Sequence, residues 1–150
     1  MNHATKVTAL LLRLTLGTMF FATGFVKVLD PLWSAAGYLK HAQTFAAFYG
    51  WLGSAQNAGW VSSLNAWGLT LIGLSLLVGA LVRWSSVCGA AMMLLYYFPI
   101  LTFPYVGRGT FLFDEHIIFS LVFVLLFTVR AGEYFGLDSL LKKTALKRVV

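Results

Sequence analysis

The chain is short of cysteine and short of charge, and each shortage excludes a class of protein. It has one cysteine, Cys88. A single thiol closes no intrachain disulfide, forms no CxxC redox pair and builds no cysteine metal cluster. Cys88 lies in an apolar run beside Gly89 and reads as a small, buried helix residue. Charged residues make up 11% of the 150, and only five are acidic. An ordinary soluble domain is about a quarter charged. A chain that is 59% hydrophobic with so little charge fits an integral membrane protein. There is no CxxCH, and His3, His41 and His116 are not spaced as an axial pair, so no haem site is expected. No GxGxxG stands in a βαβ setting, which excludes a nucleotide site. The net charge is +6, but the basic residues sit at the ends of apolar runs and in the C-terminal tail. That distribution suits membrane orientation and not nucleic acid.

What the chain has is a first apolar run, Leu10 to Pro31, long enough to cross a bilayer and carrying two cations. Arg13, Gly17, Phe20, Gly24 and Lys27 step by 4, 3, 4 and 3 and therefore share one helical stripe. Two glycines permit close helix contact, and charges of this kind avoid lipid. The stripe is expected to face the interior of a helix bundle, with Arg13 and Lys27 near opposite membrane surfaces. The run has no small-residue cleavage site and reads as a retained span.

Four spans are expected, about 7–28, 64–82, 86–101 and 116–129, in an all-α, integral membrane four-helix bundle forming a single domain over 1–150. The last two are short for a hydrocarbon core of about 30 Å. Gly68, Ser75 and Gly79 form a small-residue stripe on the second span. Gly89, Met92, Met93, Tyr96 and Tyr97 are assigned to one face of the third, and His116, Ser120, Phe123, Phe127 and Arg130 to one face of the fourth. Lys6, Arg13, Arg83, Arg130, Lys142, Lys143, Lys147 and Arg148 outnumber Lys27, Lys40 and Arg108 across the two sides, which places both termini inside. Arg13 and Arg130 are expected to snorkel to the inner head groups. The segment 30–63 mixes Trp33, Tyr38, Phe45, Phe48, Trp51 and Trp60 with polar residues and reads as an outer-face interfacial helical segment. Asp30-Pro31 is expected to open it, and Asp138 to cap an amphipathic helix over 139–150.

The densest polar cluster is Asp114-Glu115-His116, at the outer start of the fourth span. One reading is a helix start, with Asp114 as the cap and Glu115 complementing the dipole. The other is proton handling by His116, oriented by a carboxylate. Lys27 and Arg108 belong on the same side. With Lys40 and His41 they make a candidate cationic pocket for a small anion; snorkelling is the competing reading for Lys27, Arg108 and Lys40. Phe20, Tyr96, Tyr97 and Phe119 either pack the bundle or line a slot for a flat ring such as a quinone.

Taken in order, Leu12-Arg13-Leu14 with Gly17, Gly24-Phe25-Val26-Lys27-Val28-Leu29-Asp30-Pro31, Trp33-Ser34-Ala35-Ala36-Gly37-Tyr38-Leu39, Asp114-Glu115-His116 and Gly136-Leu137-Asp138 resemble the DoxX/DoxD family of small four-span membrane proteins. Within it, the chain is most similar to DoxD-type subunits of thiosulfate:quinone oxidoreductases. The resemblance implies a prokaryotic inner-membrane enzyme that oxidises thiosulfate to tetrathionate and passes electrons to quinone. Lys27, Arg108, Lys40 and His41 would hold the anion, Asp114, Glu115 and His116 would manage protons, and Phe20, Tyr96, Tyr97 and Phe119 would line the quinone slot. Transfer would then be fairly direct, because no flavin or metal motif is present. The family enzyme has a second, DoxA-type subunit, for which this chain has no domain. The alternative is a non-catalytic membrane anchor or assembly subunit of a sulfur or redox-stress complex. The small-residue stripes are compatible with a homodimer and equally with packing inside one bundle.

Overall fold

The computed structural model describes residues 1–107 and 109–139. Long runs of apolar residues with few turn formers give four long helices: α1 (His3–Leu29), α4 (Ala58–Val78), α5 (Val82–Ile100) and α6 (Glu115–Thr128). Two short helices, α2 (Ala36–Lys40) and α3 (Ala46–Leu52), lie between α1 and α4. Asn2 opens α1, its Oδ1 accepting the Thr5 N–H at 2.8 Å. Gly79, at φ +70°, closes α4 in the left-handed conformation that costs glycine least. Several boundaries differ from expectation, beginning with α1, which starts at His3 and not at Val7. The second long helix starts earlier, at Ala58, taking in Trp60 to Ser63, and stops at Gly79. The third begins at Val82, ahead of Ser86. α1 and α4 are long and apolar enough to cross a membrane.

The glycine stripe sets the packing. A Cβ on Gly24 would stand 2.8 Å from the Leu69 Cβ, and one on Gly17 3.0 Å from the Leu76 Cβ. As α1 advances from 17 to 24 its neighbours on α4 retreat from 76 to 69, so the pair is antiparallel. α5 pairs with α6 in the same sense: the Ser120 hydroxyl donates to Ala90 O at 3.4 Å, while Tyr96 faces His116. Phe20 and Phe123 meet edge to face at 5.1 Å and join the two pairs. Around them Leu16, Leu69, Leu76, Val82, Met93 and Leu126 make the main core. The outward helix faces are apolar too, with Leu11, Leu71, Val87, Leu121 and Val124 exposed. Helices that are hydrophobic all round belong in a large core or in a bilayer. Cys88 lies on this exposed side of α5, not in the core.

Arg13 does not snorkel. It is 1% exposed, at the end of the molecule opposite Lys27, and its guanidinium donates to Ala131 O at 3.1 Å, Tyr134 O at 3.3 Å and Phe135 O at 3.1 Å. A buried charge is tolerable only when hydrogen bonds replace its water, and the turn 131–135 supplies three carbonyls. Arg130 is exposed and lies 3.7 Å from Glu133. Asp138 caps a distant helix: its carboxylate accepts the Leu81 N–H at 2.7 Å and the Val82 N–H at 3.1 Å, at the start of α5. The expected amphipathic helix over 139–150 lies outside the described residues, apart from Ser139.

At the opposite end, Asp30 ends α1 and does not open the next helix. Its Oδ1 accepts the Leu32 N–H at 2.9 Å, and α2 starts only at Ala36. The segment that follows forms a small second core of Ala35, Leu39, Ala42 and Tyr49 against Trp33, Val61 and Phe98. Between α5 and α6 the chain is not wholly helical. Leu101–Thr102, Tyr105–Val106 and Thr110–Phe111 pair as a three-stranded antiparallel sheet, β1-β2-β3, an addition to the expected all-α fold.

Candidate functional site

The β-meander returns the chain to Asp114, which caps α6. Its Oδ1 accepts the backbone N–H of His116 at 3.0 Å and of Ile117 at 3.4 Å. Its Oδ2 lies 2.6 Å from His116 Nδ1. The two readings of this cluster are therefore not alternatives: one carboxylate starts the helix and orients the imidazole. With Nδ1 turned to the carboxylate, Nε2 is the atom left to exchange a proton.

The His116 ring meets the Tyr96 ring edge-on at 5.9 Å. On the other side of Tyr96, Lys27 Nζ lies 3.4 Å from Asn65 Oδ1 and sits 4.6 Å above the Trp33 ring. An ammonium only donates, so Asn65 presents Oδ1 to Lys27 and its amide N–H to the Tyr96 hydroxyl. The phenol hydrogen is then free to donate into the space beside it. Lys27 has no acidic partner among the described residues. It is a cation held by an amide and two ring faces, those of Trp33 and Tyr96.

Two cavities meet at this string. One, of about 330 Å³, is lined by Lys27, Trp33, Ser34, Ala35, Tyr38, Asn65, Tyr96, Ile100 and His116. The second, of about 220 Å³, is lined by Met19, Phe20, Thr23, Leu69, Met93, Tyr96, Glu115, His116 and Phe119. Tyr96 and His116 line both and form the wall between them. A third cavity, of about 530 Å³, shares Lys27, Trp33 and Ser34 with the first and adds Asp30, Ser62 and Ser63.

Of the residues the sequence singled out, the structure thus gathers Lys27, Tyr96, His116, Asp114, Glu115, Phe20 and Phe119 at one place. Tyr97 is buried elsewhere, its hydroxyl donating to Leu112 O at 2.6 Å. Lys40 and His41 are exposed at the end of α2, with His41 Nδ1 2.6 Å from Gly37 O, and neither lines these cavities. Arg108 lies outside the described residues. Asn65 was missed, yet it falls on the same face of α4 as Leu69, Ile72 and Leu76, a lone amide in a buried stripe. Trp33 and Tyr38, expected as interface aromatics, are site walls. Tyr38 donates to Tyr96 O at 2.5 Å. Burial, then nearby Tyr49, Tyr96 and Asp114, push its phenol up to about 12, so it remains a neutral donor. Burial also raises Tyr49, which pins α3 by donating to Leu95 O at 3.1 Å. Among the described residues no three His, Cys, Asp or Glu side chains gather as a metal site.

The fold is mostly helical, with α1 and α4 as candidate membrane spans and a polar, partly enclosed cluster at one end. The sequence model of the DoxX family matches residues 8–101, well over half of the chain, and the chain belongs to the DoxX family. It is a DoxX membrane protein. The match covers α1 to α5 and ends before Asp114, Glu115 and His116. No curated protein and no solved structure matches the chain.

Proposed function

We propose that the chain is a thiosulfate:quinone oxidoreductase, or its membrane subunit, with the anion beside Lys27 and the quinone beside Phe20 and Phe119. One observation carries this reading: Tyr96 and His116 are the common wall of a cavity bearing Lys27, a cation with no acidic partner among the described residues, and a cavity bearing mainly aromatic and aliphatic side chains. The anion would come from water through the large cavity of Ser34, Ser62 and Ser63, which shares Lys27 with the site. The resemblance to DoxD-type subunits supports thiosulfate as the donor.

Two thiosulfates joined by one new S–S bond give tetrathionate and release two electrons. Reduction of quinone to quinol takes up two electrons and two protons. Lys27 would hold negative charge close to the wall, and the Tyr96 O–H and His116 Nε2–H would donate to quinone oxygens. His116, steadied by Asp114, would deliver the two protons in turn and regain each through Glu115, which lines the same cavity at the first turn of α6. The protein's part is position and electrostatics.

In this reading α1, α4, α5 and α6 are four spans of a prokaryotic cytoplasmic membrane, with both termini inside. In its support, Lys6, Arg13, Arg83 and Arg130 lie at the end away from the site, as cytoplasmic loops collect cations. A second reading, an anchor for a DoxA-like soluble subunit, is favoured by the apolar rim of Leu32, Phe103, Phe111 and Phe113 at the site end, all more than half exposed. The test that separates them is kinetic. Lys27→Met should raise the thiosulfate KM at least tenfold and leave the quinone KM within about threefold. Unchanged kinetics for both substrates would remove Lys27 from the site and the proposal with it.

A further inference from the structure

The helices of this fold are not packed evenly. α1 rests along α4, α5 along α6, and α4 joins α5, whereas α1 and α6 meet over a short stretch only. The cavity of about 220 Å³ occupies that seam. Its back wall is closed: Phe20, Leu69 and Met93 are 2%, 3% and 4% exposed. Its lips are open, with Met19 and Thr23 of α1 and Glu115 of α6 all exposed.

What lies outside the lips decides what can pass them. Val26 stands one turn beyond Thr23 on the same face of α1, and Ile118 one turn beyond Glu115 on α6. Both are more than half exposed. The seam therefore opens onto an apolar belt and not onto the polar segment above it. A hydrated anion would lose its water there with no cation to replace it, since Lys27 lines the other cavities and not this one. A flat ring on an apolar tail would lose nothing. Its ring would fit between Phe20 and Phe119 with oxygens toward Tyr96 and His116, and its tail would lie along the seam.

We propose that the α1–α6 seam is a lateral doorway through which a tailed, ring-bearing membrane amphiphile of the quinone class reaches His116 directly from the bilayer. This rests on reading the cavity as the quinone chamber. It goes further in separating two routes: water-side for the anion, lipid-side for the ring.

The test places the full chain in phosphatidylcholine vesicles and follows quenching of its tryptophan fluorescence by a decyl-tailed benzoquinone and by its tailless counterpart. Thr23→Phe fills the doorway; Thr18→Phe, also exposed on α1 but outside the cavity, controls for the added ring. The doorway predicts that Thr23→Phe weakens binding of the tailed quinone at least tenfold. The tailless quinone, which also dissolves in water and reaches the shared wall from the other cavity, should change by less than about threefold. Thr18→Phe should change neither. Equal losses for both quinones in Thr23→Phe, or no loss for either, would overturn the doorway. Because the readout is binding, a wild-type chain that passes this test and oxidises no thiosulfate retains the doorway and loses only the proposed donor.

Discussion

Asp114 holds His116 twice, through the backbone N–H at 3.0 Å and through the ring Nδ1 at 2.6 Å. The carboxylate is therefore both the first bond of α6 and the group that fixes which imidazole nitrogen faces the cavities.

Asp114→Asn separates these two roles. Asparagine caps helices as well as aspartate does, so the thermal midpoint should hold to within a few degrees. The paired charge on Nδ1 is lost, and quinone reduction should fall about 10- to 100-fold, less than the roughly 10²- to 10⁴-fold a general acid–base group contributes, because His116 itself remains. Paired measurements of thermal stability and turnover check this. A stability loss matching the activity loss would leave Asp114 as a cap only.

Arg13 ties α1 to the turn 131–135 through three carbonyls. Arg13→Met leaves those carbonyls short of donors and should destabilise the folded state by about 2–4 kcal/mol. Arg13→Lys should recover only part of this, because an ammonium cannot span the planar fork of acceptors. Reversible denaturation in mixed micelles reads both, and full recovery by lysine would refute the fork.

Gly24 touches α4 where a Cβ would lie 2.8 Å from the Leu69 Cβ. Gly24→Val should therefore separate α1 from α4 and cost about 1–3 kcal/mol as an overpacked contact. Gly59→Val, where nothing lies within 4 Å, should do far less. Equal effects in the two variants would contradict the packing.

Tyr38 supplies a pH dependence. Its phenol is raised from an ordinary 10.0 to about 12. A raised folded value means the proton is held more tightly in the folded state. The stabilisation it gives is complete below pH 10.0 and is lost as pH rises toward about 12. Tyr38→Phe should remove this alkaline step from α2, read by hydrogen exchange of 36–40. A step unchanged in Tyr38→Phe would assign it elsewhere.

The stripe Arg13, Gly17, Phe20 and Gly24 was legible because polar and small residues are rare in this chain, so each one marks a helix face. The partners of Arg13 were not, because backbone carbonyls at 131–135 leave no pattern in side-chain identity. The bond from Asp138 to the start of α5 was hidden for a related reason: its partners are backbone N–H groups far back in sequence. The three strands are too short for alternation to register. At the site, His116 and Lys27 stood out as charged groups in apolar runs. Asn65 did not, because an uncharged amide near Ser62 and Ser63 reads as part of a polar helix end until its register with Leu69 and Leu76 is followed.

The account rests most heavily on both substrates meeting at the wall of Tyr96 and His116. The direct measurement is thiosulfate-dependent reduction of decyl-tailed benzoquinone by the purified chain alone, with tetrathionate counted against quinol. The account predicts one tetrathionate per quinol, at a rate that collapses in His116→Ala. A folded, monodisperse chain that binds the quinone but forms no tetrathionate, with or without a soluble DoxA-like subunit, would contradict it.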